Sequence, residues 1–235
     1  MNILKEKLGN ISGGKVLDVA TGDGTFINLL VNHLKDYSEV IGIDTDQELI
    51  EFNKKNYNNN KITFDYMSGD ALSYDDASFD TVSISNSLHH LKNINQTLGE
   101  MYRVLKPGGL FIINEIFCDN QNEKQLTHVY FHHLQAEVDT LQGILHNKTF
   151  HQQEIMKIAE SIGLKSIDAF VHENVMFNQH VRTDLFAERY QVIIDRIKEF
   201  PEYPKYRLEL ENLITRLQNI GVEFASQLML VGRKA

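Results

Sequence analysis

The stretch Val16-Leu17-Asp18-Val19-Ala20-Thr21-Gly22-Asp23-Gly24-Thr25 constrains the fold more than any other part of the chain. An apolar run ends in a loop of small residues, and a helical pattern begins directly after it. Strand, tight loop, then helix is how a parallel sheet presents its carboxyl edge to a nucleotide-like ligand. Glycine lacks a Cβ, so backbone at Gly22 and Gly24 can come close to such a ligand. The spacing is not the dinucleotide fingerprint. It reads D-x-A-x-G-x-G, with an acid at the strand end and no third glycine at the G-x-G-x-x-G position.

The first 115 residues repeat that rhythm, which predicts a mainly parallel sheet with crossover helices. Strands are expected at Val16–Val19, Val40–Ile43, Ile62–Tyr66, Thr81–Ile84 and Leu110–Ile113. Helices are expected at Phe26–Leu34, Gln47–Tyr57 and Ile94–Leu105, where apolar residues recur at three and four. Lys106-Pro107-Gly108-Gly109 reads as a helix stop and turn. After Ile116 the pattern changes. Residues 118–148 read as a polar, His-rich helical stretch, and Thr149 as the N-cap of a helix carrying Ile155, Ile158, Ala159 and Ile162. Leu164–Phe170 is a sixth strand. Residues 178–220 hold two amphipathic helices, with Phe186, Tyr190, Ile193 and Ile197 on one and Leu210, Leu213, Leu217 and Ile220 on the other. Phe224–Val231 is the last strand.

Composition excludes several classes. A net charge of −9 with 23 scattered Lys and Arg does not supply the dense basic surface that nucleic acid requires. No apolar run approaches the roughly 20 residues of a membrane span. The charged start Met1-Asn2-Ile3-Leu4-Lys5-Glu6 is unlike a signal peptide. The one cysteine, Cys118, excludes an internal disulfide framework or a cysteine-based zinc site. A cytoplasmic protein, monomeric or homodimeric, with a small-molecule substrate and neither nucleic-acid nor membrane partners is expected.

Four loops follow the expected strands in order. Asp18 can order the first and attract a ligand's ammonium group, directly or through water. Asp44, 20 residues past Gly24, can accept both hydroxyls of a ribose. In Gly69-Asp70-Ala71, the carboxylate can accept an adenine amino group while backbone at Ala71 reaches a ring nitrogen. Ser85-Asn86-Ser87-Leu88-His89-His90 follows the fourth strand. With these loops in place, residues 14–115 resemble the class I S-adenosylmethionine-dependent methyltransferases, most of all the ubiquinone/menaquinone-biosynthesis group. The resemblance also rests on Phe79-Asp80-Thr81-Val82, Leu88-His89-His90 and Glu100-Met101-Tyr102-Arg103-Val104-Leu105-Lys106-Pro107-Gly108-Gly109.

That resemblance implies a Rossmann-like, seven-stranded, mostly parallel α/β sheet whose last strand is antiparallel. It implies S-adenosylmethionine as cofactor, with S-adenosylhomocysteine as product. The cofactor contacts would be Asp18, Ala20, Gly22, Asp23, Gly24, Asp44, Thr45, Asp70, Ala71, Ser85 and Asn86. Two departures matter: Ala20 stands where a glycine is commonest, and only about 14 residues precede the first strand, where relatives carry a helical cap. A single domain is therefore expected, with helical insertions at 118–148 and 173–221 capping the substrate. No Asn-Pro-Pro-Tyr motif of amino methylation occurs, nor the several cysteines of arsenite methyltransferases.

The ten histidines carry the catalytic candidates. A base is needed only where a methyl acceptor must lose a proton, and imidazole suits that task near neutral pH. His90, His128 and His132 are the candidates, set against a plain packing role or a solvated helix face. His128 and His132, four apart, are also compatible with a metal, though no His-Glu-x-x-His pattern accompanies them, and no metal is expected. Phe117, Tyr130, Phe131, Phe150 and Phe177 read as an acceptor pocket or as core, and Cys118 as a small pocket or core residue. The expected reaction is methyl transfer to a small molecule at an O, N or C atom. A cofactor-binding enzyme of another class, metal-assisted or not, and a non-catalytic cofactor-binding protein are the alternatives.

Overall fold

Strands β1 (Lys15–Val19), β2 (Glu39–Asp44), β3 (Ile62–Tyr66), β4 (Phe79–Ser85), β5 (Leu105–Ile116), β6 (Lys165–His172) and β7 (Gln227–Arg233) form one seven-stranded sheet in the order β3-β2-β1-β4-β5-β7-β6. The computed structural model describes residues 3–173 and 182–235; Phe177 and part of the stretch 173–221 lie outside them. The described chain divides into two compact units, one of 1–115, 155–172 and 228–235, the other of 116–154 and 173–227.

The first unit is the sheet and its helices. β1 pairs in parallel with β2 and β4, β2 with β3, and β4 with β5. β7 runs antiparallel between β5 and β6. Backbone bonds from Gly108 N to Lys234 O and from Lys234 N to Gly109 O, both 3.0 Å, extend that antiparallel edge. Val16, Leu17 and Val19 are buried, so β1 is apolar almost throughout rather than alternating, as a strand covered on both faces must be. Helices α1 (Ile3–Leu8), α2 (Thr25–His33), α3 (Gln47–Asn56), α4 (Ile94–Val104) and α6 (Gln152–Ser161) belong here, α6 from Ile155 onward. Strand order reverses between β1 and β4, the switch point where open α/β sheets bind ligands.

Two local expectations change. Lys106-Pro107-Gly108-Gly109 is not a free turn. It lies within β5, where the pairing with β4 jumps from Phe79↔Leu105 to Thr81↔Leu110. Proline cannot donate to the ladder and Gly108 sits at φ +74°, so the segment bulges, held by Lys106 Nζ on Asp80 Oδ1 at 2.6 Å. Thr149 does not cap α6, which begins three residues later. Its hydroxyl is 2.8 Å from His133 Nε2. The turn is closed instead by the His151 N–H donating to the Glu154 carboxylate at 2.7 Å.

The second unit is helical: α5 (Glu123–Leu141), α7 (Thr183–Asp195) and α8 (Tyr203–Ile220). Asn122 starts α5 with a complete capping box, its side chain accepting from Lys124 and Gln125 N–H while Gln125 returns to the Asn122 N–H. A proline in the first turn starts α8. The helices share a core of Phe131, Leu134 and Val138 with Tyr190, Ile193, Ile194, Ile197, Tyr206, Leu210 and Leu217. Of the expected 118–148 stretch, only 123–141 is helical, and Gly143 at φ +78° follows its end. Among the described residues no helix is long and apolar enough to cross a membrane.

Phe131 is fully buried, its ring 5.0 Å from Phe186 and 4.6 Å from Tyr190. Phe131→Ala is therefore expected to destabilise the helical unit by about 3–5 kcal/mol. Urea unfolding followed by circular dichroism measures this.

Candidate active site

The loop after β1 is left-handed at three positions, Ala20 (φ +54°), Gly22 (φ +54°) and Gly24 (φ +78°). Only glycine takes that conformation without steric cost, so Ala20 is held there by its surroundings. Beneath the loop lies Asp18, at 1% exposure. Its carboxylate accepts from the Thr21 hydroxyl at 2.7 Å and the Ser83 hydroxyl at 2.6 Å. One bond folds the loop back on its own strand and the other ties it to β4.

Loop, second strand and third helix are bonded together. The Thr21 N–H donates to Ile43 O at 2.9 Å. Asp44 accepts from the Gly22 N–H at 2.8 Å through one oxygen and from the Asp46 N–H at 2.9 Å through the other. From α3 and its end, Asn53 Nδ2 donates to Gly22 O at 2.7 Å and the Tyr57 hydroxyl to Gly24 O at 2.6 Å. A Cβ on Gly24 would stand 2.4 Å from that hydroxyl oxygen, whereas one on Gly22 would meet nothing within 4 Å. Gly24 is thus needed for packing, while Gly22 keeps open space above the loop. Asp23 and Thr45 are exposed, and Asp23 accepts from the Thr25 N–H at 3.0 Å.

The other two loops join the same edge. The Met67 N–H donates to Asp44 O at 3.0 Å. Asp70 accepts through its carboxylate from the Thr97 hydroxyl and through its backbone oxygen from Gln96 Nε2, the latter at 3.0 Å. Ala71 is exposed, and its N–H lies 3.4 Å from Ser68 O. Just beyond, Glu100 accepts from the Leu72 N–H and forms a two-pronged pair with Arg103, whose guanidinium also bonds Leu72 O and Tyr74 O. The Arg103 bonds hold the Glu100 carboxyl down at about 2. After β4, Ser87 Oγ lies 3.4 Å from Ala20 O. Asn86 is left-handed at φ +47°, and its N–H donates to Asn114 O at 2.8 Å.

Several positioning residues carried no signal in the sequence. Asn114 Nδ2 donates to Ser85 Oγ at 2.9 Å, and Asn114 Oδ1 lies 2.7 Å from His172 Nε2. A buried polar chain therefore runs from the end of β6 to the loop after β4. Glu115, fully buried, accepts from the Leu88 N–H at 2.9 Å and lies 2.9 Å from His89 Nδ1. His89 is buried by this pair, whereas the candidate His90 is exposed beside it, ring centroids 4.3 Å apart. Asn53 lies within the helix expected at Gln47–Tyr57, where its spacing alone does not point to the loop. Asn114-Glu115 interrupts the apolar run of β5 one residue before its end, and nothing local in the sequence says what either side chain binds.

His128 and His132 lie in the helical unit. The Ala225 N–H donates to His128 Nδ1 at 3.2 Å, with Phe186 and Phe224 against its ring. Burial, helped by the Arg189 charge, lowers the His128 pKa to about 4. His132 stands 6.4 Å from His128 and 4.8 Å from His146, ring centre to ring centre. Phe117 and Phe131 are buried, Tyr130 is exposed, and Cys118 packs beside Ile116, Val129 and Ala225. Burial raises the Cys118 pKa.

Residues 17–113 match a family model described as a methyltransferase domain. A ubiquinone/menaquinone biosynthesis C-methyltransferase of Geobacter sp. strain M21 is 33% identical over 131 residues, 54% of this chain and 56% of that protein. The chain spans about half the length of the curated relatives it matches. An S-adenosylmethionine-dependent methyltransferase from Mesorhizobium loti superposes with a TM-score of 0.57 at 16% identity, covering 99% of this chain and 96% of its own. The [4+2]-cyclase SpnF gives a TM-score of 0.60 at 17% identity, over 99% and 78%. The fold is thus the Rossmann-like fold of the class I methyltransferases. The first half of the chain is similar in sequence to ubiquinone/menaquinone biosynthesis C-methyltransferases and demethylmenaquinone methyltransferases.

Burial pushes the Asp18 carboxyl up to about 6, against the two hydroxyl bonds that favour ionisation, and the Asp44 charge adds to the rise. Its folded value exceeds its unfolded one, so the stability it contributes is complete below about pH 4 and is lost as pH rises through 6. Asp18→Asn removes that loss. Relative to the unsubstituted protein, the variant is expected to gain about 2–3 kcal/mol between pH 4 and pH 7, measured by urea unfolding at both pH values. A constant difference across that range would refute the assignment.

Proposed function

We propose that this chain is an S-adenosylmethionine-dependent methyltransferase acting on a small-molecule acceptor. The observation that carries the reading is the Gly22–Asp44 contact between the ends of β1 and β2 beside the switch point, with open space above Gly22 and the loops after β3 and β4 bonded to the same edge. Those residues fit the cofactor. Asp44 would turn from the Gly22 N–H toward the ribose hydroxyls or bridge both. Asp70, braced by Thr97, would accept the adenine amino group, with the Ala71 N–H at a ring nitrogen. Asp18 orders the loop from beneath and adds negative potential for the ammonium group. Ser85 and Asn86, set by Asn114, would face the methionine end.

The bound cofactor supplies an activated methyl group on a sulfonium. What remains for the protein is alignment of the acceptor and exclusion of water. An acceptor that sheds a proton needs a base, and His90, His128 and His132 remain the candidates. His128 is kept neutral by burial, and its Nδ1 accepts the Ala225 N–H, so Nε2 carries the proton and the ring would have to give up that bond to act as a base. Acceptor choice is assigned to the helical unit as a substrate cap. Its segments lie outside the matched domain at 17–113.

Isothermal titration with S-adenosylhomocysteine is expected to show micromolar or tighter binding. Asp44→Ala should weaken it by about 1–3 kcal/mol, roughly 5- to 150-fold, the scale of lost charge-assisted hydrogen bonds. No binding by folded protein would overturn the cofactor assignment; unchanged affinity in the variant would remove Asp44 from the ribose role.

A further inference from the structure

The helical unit contains a pair of imidazoles that neither its hydrophobic core nor the cofactor loops call for. His132 lies on α5, and His146 on the irregular segment that follows it. Their ring centres are 4.8 Å apart with planes at 87°, and their nearest side-chain nitrogens lie within 4.8 Å. His146 Nδ1 is 2.7 Å from Asp139 Oδ2, and both side chains are almost wholly buried. The other Asp139 oxygen accepts from Arg196 Nη2 at 2.6 Å. A carboxylate at Nδ1 keeps the proton there, which makes Nε2 the nitrogen with the lone pair. That is how metal-binding histidines are commonly held.

A purely structural role explains less. An Asp139–His146 pair alone would pin the segment after α5, and backbone bonds from Ile144 N to Asp139 O and from Gln142 N to Val138 O already do so. Neither accounts for a second imidazole brought edge-on to the first. The spacing His128–His132, which the sequence singles out, is not the pair: those rings are 6.4 Å apart and His128 Nδ1 accepts a backbone N–H. Two imidazole nitrogens around a tetrahedral ion lie about 3.3 Å apart, given metal–nitrogen bonds of about 2.0–2.1 Å. The nitrogens of His132 and His146, within 4.8 Å of one another, would have to draw together to bind one ion.

We propose that the helical unit carries a site for a divalent transition-metal ion of the zinc type, with His132 and His146 among its ligands and Asp139 holding His146 from behind. Imidazole selects zinc, cobalt, nickel or copper over magnesium and calcium, which prefer oxygen. Two protein imidazoles leave coordination positions for water or for an oxygen of a bound small molecule, which such an ion would polarise. The site does not depend on the methyl-transfer reading.

The test uses the full chain without a histidine tag, stripped with chelator and titrated with zinc or cobalt(II). About one equivalent is expected to bind, with the visible absorption of cobalt in a low-symmetry nitrogen site. His132→Ala and His146→Ala should each lower affinity by at least 100-fold, and Asp139→Asn by about 10- to 100-fold. His151→Ala, at an exposed histidine, should leave binding unchanged. Circular dichroism checks each fold, and the Gln variants at 132 and 146 replace any Ala variant that fails to fold. No metal bound by the unsubstituted protein, or undiminished binding in the folded variants, would overturn the proposal.

Discussion

The buried carboxylate of Asp18 is the constraint around which the ligand edge of the sheet is arranged. An ionised group at 1% exposure is costly unless its oxygens are satisfied. Here two hydroxyls do so, from Thr21 in the loop and Ser83 on the neighbouring strand. Satisfying Asp18 therefore fixes the turn of the glycine loop and its registry against β4 together. The loop in turn presents the Gly22 N–H to Asp44 and the Gly22 and Gly24 carbonyls to Asn53 and Tyr57. Stability and ligand readiness pull in opposite directions at this residue. Burial favours the protonated form, while attraction for a cationic ligand requires the charged one.

The sheet was legible because both of its signals are local. Consecutive apolar residues mark strands buried on both faces, and glycine or acid at their ends marks the carboxyl edge. β3 falls at Ile62–Tyr66 as expected, and the other strands lie within a few residues of their expected bounds. β5 starts at Leu105 rather than Leu110 because the 106–109 bulge belongs to it, and β7, expected from Phe224, is observed from Gln227. There the Ala225 N–H is committed to His128, and Ser226 bonds Gln121 and Gln125. Those are contacts of high sequence separation, which periodicity does not carry. Asn114 and His172 carry no local signal for the same reason, since their bond spans 58 positions. Proline and glycine at 107–109 were legible as a break but not as a bulge, because a bulge is defined by the partner strand.

The division between the matched domain and the helical segments separates two kinds of information. Residues 17–113 carry the domain match and all the cofactor-loop candidates. The fold alone does not determine a reaction, since structural likeness extends equally to a [4+2]-cyclase and to a methyltransferase. What distinguishes one such chain from another must lie in side chains outside the shared edge. The helical unit, proposed above as the substrate cap, lies outside that match, and its apolar core of aromatic and branched side chains coexists with buried polar contacts.

The histidines show why composition misled there. A His-rich polar stretch at 118–148 reads as a solvated helix face, yet His128, His133 and His146 each have a specific hydrogen-bond partner. Imidazole has an apolar ring and two polar nitrogens, so one well-placed bond lets it enter a core that would reject a lysine or arginine. Burial then acts on its charge. For His128 the neutral ring is favoured down to about pH 4, below its ordinary 6.5. Its contribution to stability is therefore complete above the ordinary value and is lost as pH falls toward 4. Asp18 works in the opposite direction, since its contribution is lost as pH rises through 6. One unit thus carries a group that resists deprotonation and the other a group that resists protonation. Near neutral pH the cost therefore falls on Asp18, at the edge where a cationic ligand would offset it.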